Sequence, residues 1–380
     1  MTLTQAKTEI LSGLTISIAL VPEAISFALL VGAAPQIGLW AAVFMALSTA
    51  VFGGRPGLIS GATGATAVIM AGLVASAGMD YLFLGVFMAG IIQILIWATS
   101  AWKVFNKIPH SAISGFLIAL ALMILNSQFK YIEVGNPSQS TINYTIITVI
   151  LSAVAMIWSS RKFSFPPALT AILVGLIIGI PLGLSTVGDL SPVSADFPSF
   201  RLPTMNLAAI LMVLPYSFGM AVSGLTESLL TVDSVSHKLN EHGDKRRETL
   251  AQGIGNVVSS LFCTMGGCVL VGQTNLNISA GAKQRLSAIV AALGLAVIII
   301  GFGTYIEKLP LAGLIGVMIV VVYETGDWKS LMTINIQNLS VIISTVIISL
   351  ATHNLAIGVI FGSIVFYISK LISRYDTSKE

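Results

Sequence analysis

GGRPGLISGATGAT, Gly53 to Thr66, and GGCVLVGQTN, Gly266 to Asn275, are the two places where glycine-rich, polar residues break the long apolar runs of this 380-residue sequence. An intact membrane helix satisfies its own backbone. A break frees N–H and C=O groups, which is tolerated at bilayer depth only where protein buries them or they line a cavity. A matched break in each half of a chain is the sequence pattern of a carrier whose site lies between two broken helices.

Composition supports the membrane reading. Hydrophobic residues make up 55% of the chain and charged residues 9%, where a soluble domain carries about 25% charged residues. Most of the surface must therefore face lipid or other helices. The net charge of +3 comes without a basic run interleaved with aromatics, so nucleic acid is not an expected partner. Cys263 and Cys268 lack further ligands at metal spacing and read as packing residues. The N-terminus, with Lys7 and Glu9 before an apolar run, reads as a first membrane helix and not as a cleaved signal.

Apolar stretches alternate with short charged or Gly/Pro loops over 10–30, 34–52, 62–77, 81–101, 110–127, 142–159, 167–184, 206–234, 248–263, 273–283, 286–305, 310–323, 335–351 and 354–372. The third and tenth, each following a glycine-rich break, read as short half-helices. With the N-terminus placed in the cytoplasm, strict alternation puts only Lys130, Arg201 and Lys308 outside and every other Lys and Arg inside, Arg55, Lys245 and Lys379 among them. That is the bias of the positive-inside rule; it predicts an inner-membrane, multi-pass protein with both termini cytoplasmic. The polar stretch 185–205 divides the segments into two sets of seven, 1–184 and 206–372. Two odd-numbered halves in tandem have opposite orientations, an inverted repeat.

Each break should run as a short extended strand followed by a half-helix. A helix N-terminus carries roughly half a positive charge and unpaired N–H groups, so two such ends facing each other make an anion site without a fixed cation. Thr63, Gly64 and Thr66 open one half-helix; Gln273, Thr274 and Asn275 open the other. Two acids lie at membrane depth, Glu227 within segment 8 and Glu23 after Pro22 in segment 1. Intramembrane carboxylates cost about 2.5 kcal/mol or more to insert, which makes them functional candidates. Ser223, Glu227 and Thr231 share a helix face by four-residue spacing, and could hold Na+ through oxygen ligands or a proton on Glu227. Glu23 stands beside the substrate set. Asp233, near the cytoplasmic end of the same helix, reads as a solvated or capping charge; His110 and His353 read as interfacial, and the tryptophans mostly as an aromatic belt. The sequons at Asn143 and Asn277 carry little weight.

The same residues carry a resemblance to the SulP (sulfate permease) family of inorganic anion transporters. The motifs are GLTISIALVPEAISFALLVGAAPQIGLWAA from Gly13, GGRPGLISGATGA from Gly53, GLTESLLT from Gly224, QGIGNVVSSLF from Gln252, GQTNLNISAGAKQRLSA from Gly272 and ATHNLAIGV from Ala351. The resemblance implies an all-α membrane protein with fourteen transmembrane segments in a seven-plus-seven inverted repeat, like the uracil permeases. It implies a core domain of 10–101 plus 206–305 and a gate domain of 107–184 plus 310–372, moving as an elevator, usually in a homodimer. It implies secondary transport of sulfate, bicarbonate or a related anion, coupled to H+ or Na+ through Glu227 and Thr231; no other metal or cofactor is implied. Gln273 stands where animal members carry arginine, and Glu23 where many relatives have glutamine. Most relatives add a STAS domain after the last segment, and roles assigned to that domain are not expected of these residues. Weighed against this are a nucleobase or xanthine permease of the same fold, an uncoupled anion channel or exchanger, and an intramembrane enzyme. The first would want more aromatic and amide contacts at the breaks. For the enzyme no HExxH is present, and Ser60 lacks the preceding glycine of a GxSG motif.

Overall fold

A computed structural model describes residues 2–134, 137–162, 167–194, 196–332 and 336–377; Asn335 and Lys379, used above, lie outside the described residues. The chain forms α1 (Leu3–Val31), α2 (Pro35–Phe52), α3 (Gly64–Ala77), α4 (Asp80–Ala98), α5 (His110–Ile132), α6 (Gln139–Lys162) and α7 (Pro167–Gly179). The second half gives α8 (Leu207–Leu239), α9 (Lys245–Leu261), α10 (Val271–Ser279), α11 (Leu286–Ile306), α12 (Leu311–Thr325), α13 (Ile336–Thr352) and α14 (Leu355–Thr377). Seven of these are long and apolar enough to cross a bilayer. Exposed apolar side chains such as Ile146, Ile150 and Val154 on α6 and Val297 and Ile300 on α11 form faces suited to lipid.

Caps explain where the helices depart from the apolar runs. Thr2 and Gln5 form a reciprocal capping box that starts α1 well before residue 10, and Gly32, at φ 81°, ends it. Asn206 accepts from Ala209 N–H to start α8, and Asn240 in the left-handed region stops it beyond the expected 234. Asp244 caps α9 through Arg247 N–H. The Glu9 carboxylate, far along the chain on α1, accepts from the N–H groups of Lys283, Gln284 and Ser287 and so caps α11. At the other polarity, Arg285 and Arg247 donate to carbonyls of Ala50, Val51, Phe52 and Gly53 at the C-terminus of α2.

The larger helix contacts recur between the helices seven further along the chain. α1 packs on α11 as α8 packs on α4; α2 on α11 as α9 on α4; α6 on α7 as α13 on α14; and α5 on α14 as α12 on α7. Helices α1–α4 and α8–α11 pack chiefly on one another, as do α5–α7 and α12–α14. In lipid this packing rests on close approach and hydrogen bonds more than on apolar burial. The polar stretch after α7 is pinned by Phe197, whose ring stands edge-on to Trp40 and Phe44. Trp40 is therefore buried inside the bundle and does not belong to an interfacial belt.

Candidate functional site

The two breaks meet. Residues Ser60–Gly61 form β1 and Cys268–Val269 form β2, paired antiparallel with Ser60 opposite Val269 and Gly61 opposite Cys268. Leu270 N–H extends the pairing to Ile59 O at 2.9 Å. Gly267 makes the approach feasible, since a Cβ there would stand 1.8 Å from Gly61 O. The remaining freed backbone is met by buried side chains, each such bond contributing about 1 kcal/mol. Asn256 on α9 takes Gly267 N–H and donates to Gly267 O and Gln93. Ser228 accepts from Val269 N–H. Asn277 donates to Gly57 O and Ser287 and accepts from Ser12; its burial leaves no room for a glycan.

From this bridge the chain turns into α3 on one side and α10 on the other. Thr63 is the N-cap residue of α3 and Leu270 of α10, and neither helix start has a side-chain cap. The first N–H groups of a helix have no intrahelical acceptor, so both starts keep donors in hand. α10 begins at Val271, two residues ahead of the expected Gln273, because Leu270 leaves the strand directly into the helix.

The expected residues fall into three groups. Thr63 and Thr66 are fully buried, their hydroxyl oxygens 3.1 Å apart, and Thr66 donates to Thr63 O. Gly64 admits Ile124 of α5 and Phe27 of α1 over the start of α3, with Ile124 Cδ1 2.6 Å from where a Cβ would stand. Gln273 donates to Glu23 at 2.8 Å. Thr274 differs: its hydroxyl accepts from Ile59 N–H at 3.0 Å and is spent on holding the breaks together. Asn275, half-buried on α10, makes none of these bonds. Glu227 is buried on α8, and its Oε2 accepts from the Cys268 thiol at 3.1 Å. Thr231 donates to the backbone carbonyl of Glu227, not to its carboxylate. Ser223 Oγ is buried with no hydrogen-bond partner.

Cys268 makes contacts that its sequence context does not announce. Read as packing, its sulfur lies between Thr63 Oγ1 at 2.9 Å and Glu227 Oε2; the strand register that places it there has no local sequence signal. Asp233 pairs with Lys245 at 2.6 Å, a partly exposed ion pair away from the breaks. Among the described residues no cluster of His, Cys, Asp and Glu could hold a metal ion. A cavity of about 370 Å3 opens at the far end of α3, between Ser76, Tyr216 and the His353–Asn354 turn. Gly72, its lining residue nearest the half-helix start, is eight residues or about 12 Å from Gly64, so the cavity is not the site itself.

A bundle of apolar helices with two half-helix starts joined at a strand bridge defines a multi-pass membrane protein of the broken-helix carrier type. The chain belongs to the sulfate permease family, whose model matches residues 7–174 and 136–348. It is 35% identical over 375 residues to the putative sulfate transporter YbaR of Bacillus subtilis, covering 96% of this chain and 77% of that protein. It is 29% identical to the bicarbonate transporter BicA of Picosynechococcus over 85% of this chain and 62% of that one. The solved transmembrane domain of a cyanobacterium bicarbonate transporter BicA superposes with a TM-score of 0.82 at 25% identity, over 94% of this chain and 98% of that one. The murine anion transporter Slc26a9, solved in the inward-facing state, shares the fold with a TM-score of 0.81 at 17% identity, over 96% and 68%.

Proposed function

We propose that the protein is a secondary active transporter of a small inorganic anion of the sulfate or bicarbonate class, coupled to H+ or Na+ through Glu227. The observation that carries the reading is the β1–β2 bridge, from whose two ends the uncapped starts of α3 and α10 leave, with the buried Glu227 carboxylate hydrogen-bonded to Cys268 on the bridge itself. The anion would be held by the free N–H groups and the Thr63 and Thr66 hydroxyls, with Gln273 donating from α10. A negative ion beside ionised Glu227 is repelled at low effective dielectric. A proton or sodium ion on Glu227 removes that repulsion, so cation and anion load together. Ser223 Oγ and the free lone pairs of Thr231 supply oxygen atoms of the kind a hard cation takes.

The helix packing supports fourteen crossings in two inverted halves. It also supports a core of 10–101 plus 206–305 moving against a gate of 107–184 plus 310–372 as an elevator. Placement in the inner membrane with both termini cytoplasmic rests on the Lys and Arg distribution, and homodimerisation on the family alone. The names of the relatives favour an anion over a nucleobase.

The test is uptake of labelled sulfate and bicarbonate into proteoliposomes under imposed pH or sodium gradients. Gradient-driven accumulation of one anion is expected, and Glu227→Gln should abolish the cation drive while the purified protein keeps its fold. Uptake that ignores both gradients, or an unchanged Glu227→Gln, would overturn the coupled reading in favour of a channel or exchanger.

A further inference from the structure

Cys268 Sγ touches both the acid that would carry the cation and the threonine that opens α3. It lies 3.1 Å from Glu227 Oε2 and 2.9 Å from Thr63 Oγ1, and Thr63 Oγ1 lies 3.1 Å from Thr66 Oγ1. All four side chains are buried. The register opposite Gly61 and the bond from Val269 N–H to Ser228 fix the thiol in place. Gly224 on α8, whose Cβ would meet Thr66 at 3.3 Å and Cys268 at 3.4 Å, lets α8 come close enough for Glu227 to reach it. We propose that Cys268 is a positioning residue that passes the protonation state of Glu227 to the Thr63 hydroxyl, so that the anion site gains a donor only when a proton is aboard. The inference rests on the anion site proposed above and adds to it a route of coupling other than charge.

The number of hydrogens in the chain decides which way it runs. A thiol and a hydroxyl carry one each, and an ionised carboxylate carries none. With Glu227 ionised, the Cys268 S–H points at Oε2. The 2.9 Å contact between Cys268 and Thr63 then needs the threonine O–H, which is spent on sulfur. Thr63 turns lone pairs toward the start of α3, where an anion would meet them. With a proton on Glu227, the carboxyl O–H donates to sulfur, the S–H turns to Thr63 Oγ1, and the Thr63 O–H is released toward the anion. The chain reverses as a unit, with no covalent step and no proton leaving Cys268.

Few other titratable groups face this chain. Of the elements packed against α8, α3 and α10 carry none and β2 carries only Cys268. Those of α4 are Asp80 and Tyr81 in its first turn, those of α9 are Lys245 to Glu248 in its first turn, and those of α14 begin at Tyr367. On α1, Glu23 feels the charges of Glu227 and of Glu324 on α12.

The thiol reports on itself. The chain has two cysteines, so Cys263→Ala leaves one S–H stretch for infrared spectroscopy of the whole protein in lipid. The band should move to higher frequency as pH falls, when a hydroxyl replaces a carboxylate as acceptor, and Glu227→Gln should fix it there. A band that stays still under both changes overturns the relay whatever the transport result. In the sulfate binding assay, Cys268→Ala should lower the gain in affinity between high and low pH by about tenfold, the worth of one hydrogen bond to a charged group. Cys268→Ser, which keeps a single hydrogen, should restore it. A Cys268→Ala protein with the full pH response overturns the relay while leaving the anion site standing. Coupling through Glu227 itself fails if Glu227→Gln also keeps the full response.

Discussion

Gln273 Nε2 donates to Glu23 Oε1 at 2.8 Å, tying the first turn of α10 to the middle of α1 across 250 residues of sequence. Both side chains are buried, and neither Glu23 Oε2 nor Gln273 Oε1 has a partner. Glu23→Ala strands the Gln273 amide, and a buried donor left unpaired costs about 1–3 kcal/mol. The melting temperature of the purified protein in detergent should fall by several degrees. Glu23→Gln can still accept from Gln273 and should fall much less. Equal losses in the two variants would place the effect in the charge and not in the bond.

The site threonines separate by what their hydroxyls hold. Thr63→Val removes a hydroxyl that faces the start of α3 and should weaken sulfate binding by roughly threefold to tenfold, the worth of a hydrogen bond or less, with stability little changed. Thr274→Val instead leaves Ile59 N–H unpaired in the core and should show first as lost stability. Binding isotherms and melting curves on the two single variants distinguish these outcomes, which the double variant would blur.

What the sequence made legible follows from the range over which each signal acts. The helices were readable because apolar runs, caps and Gly/Pro stops are local. Glu227 was readable because a carboxylate in such a run is costly wherever it points. The ends of α1 and α8 shifted because Thr2 and Asn240 act through hydrogen bonds that hydropathy does not register. The contacts of Cys268 were not readable because they depend on which residue of the first break stands opposite it. Thr274 looked like its neighbour Gln273 in sequence, yet one faces Ile59 and the other Glu23.

The strand bridge gives a sharper test of the paired breaks. Gly267→Ala places a Cβ 1.8 Å from Gly61 O, and no side chain lies between them to give way. β1 and β2 must separate or the backbone must shift. Uptake should be lost, and Cys268 should become reactive to a membrane-permeant maleimide from which it is now fully buried. A Gly267→Ala protein with normal uptake would show that the two breaks need not pair for transport.

The last prediction concerns the charge of the site itself. In the proposed mechanism, the positive partners on offer to an anion at the breaks are helix ends and a cation joining Glu227; the side chain at the first turn of α10 is a neutral amide. Gln273→Arg puts a permanent guanidinium there, next to Glu23, where it has a carboxylate to pair with and donors left for an oxyanion. Anion binding should then depend less on the coupling ion: the ratio of sulfate affinities with and without the favourable cation should shrink toward unity. The mechanism predicts this direction because a fixed charge does in every state what the co-bound cation does only when present. An arginine variant whose binding keeps the full cation dependence would mean that the ion acts somewhere other than on the field felt by the anion.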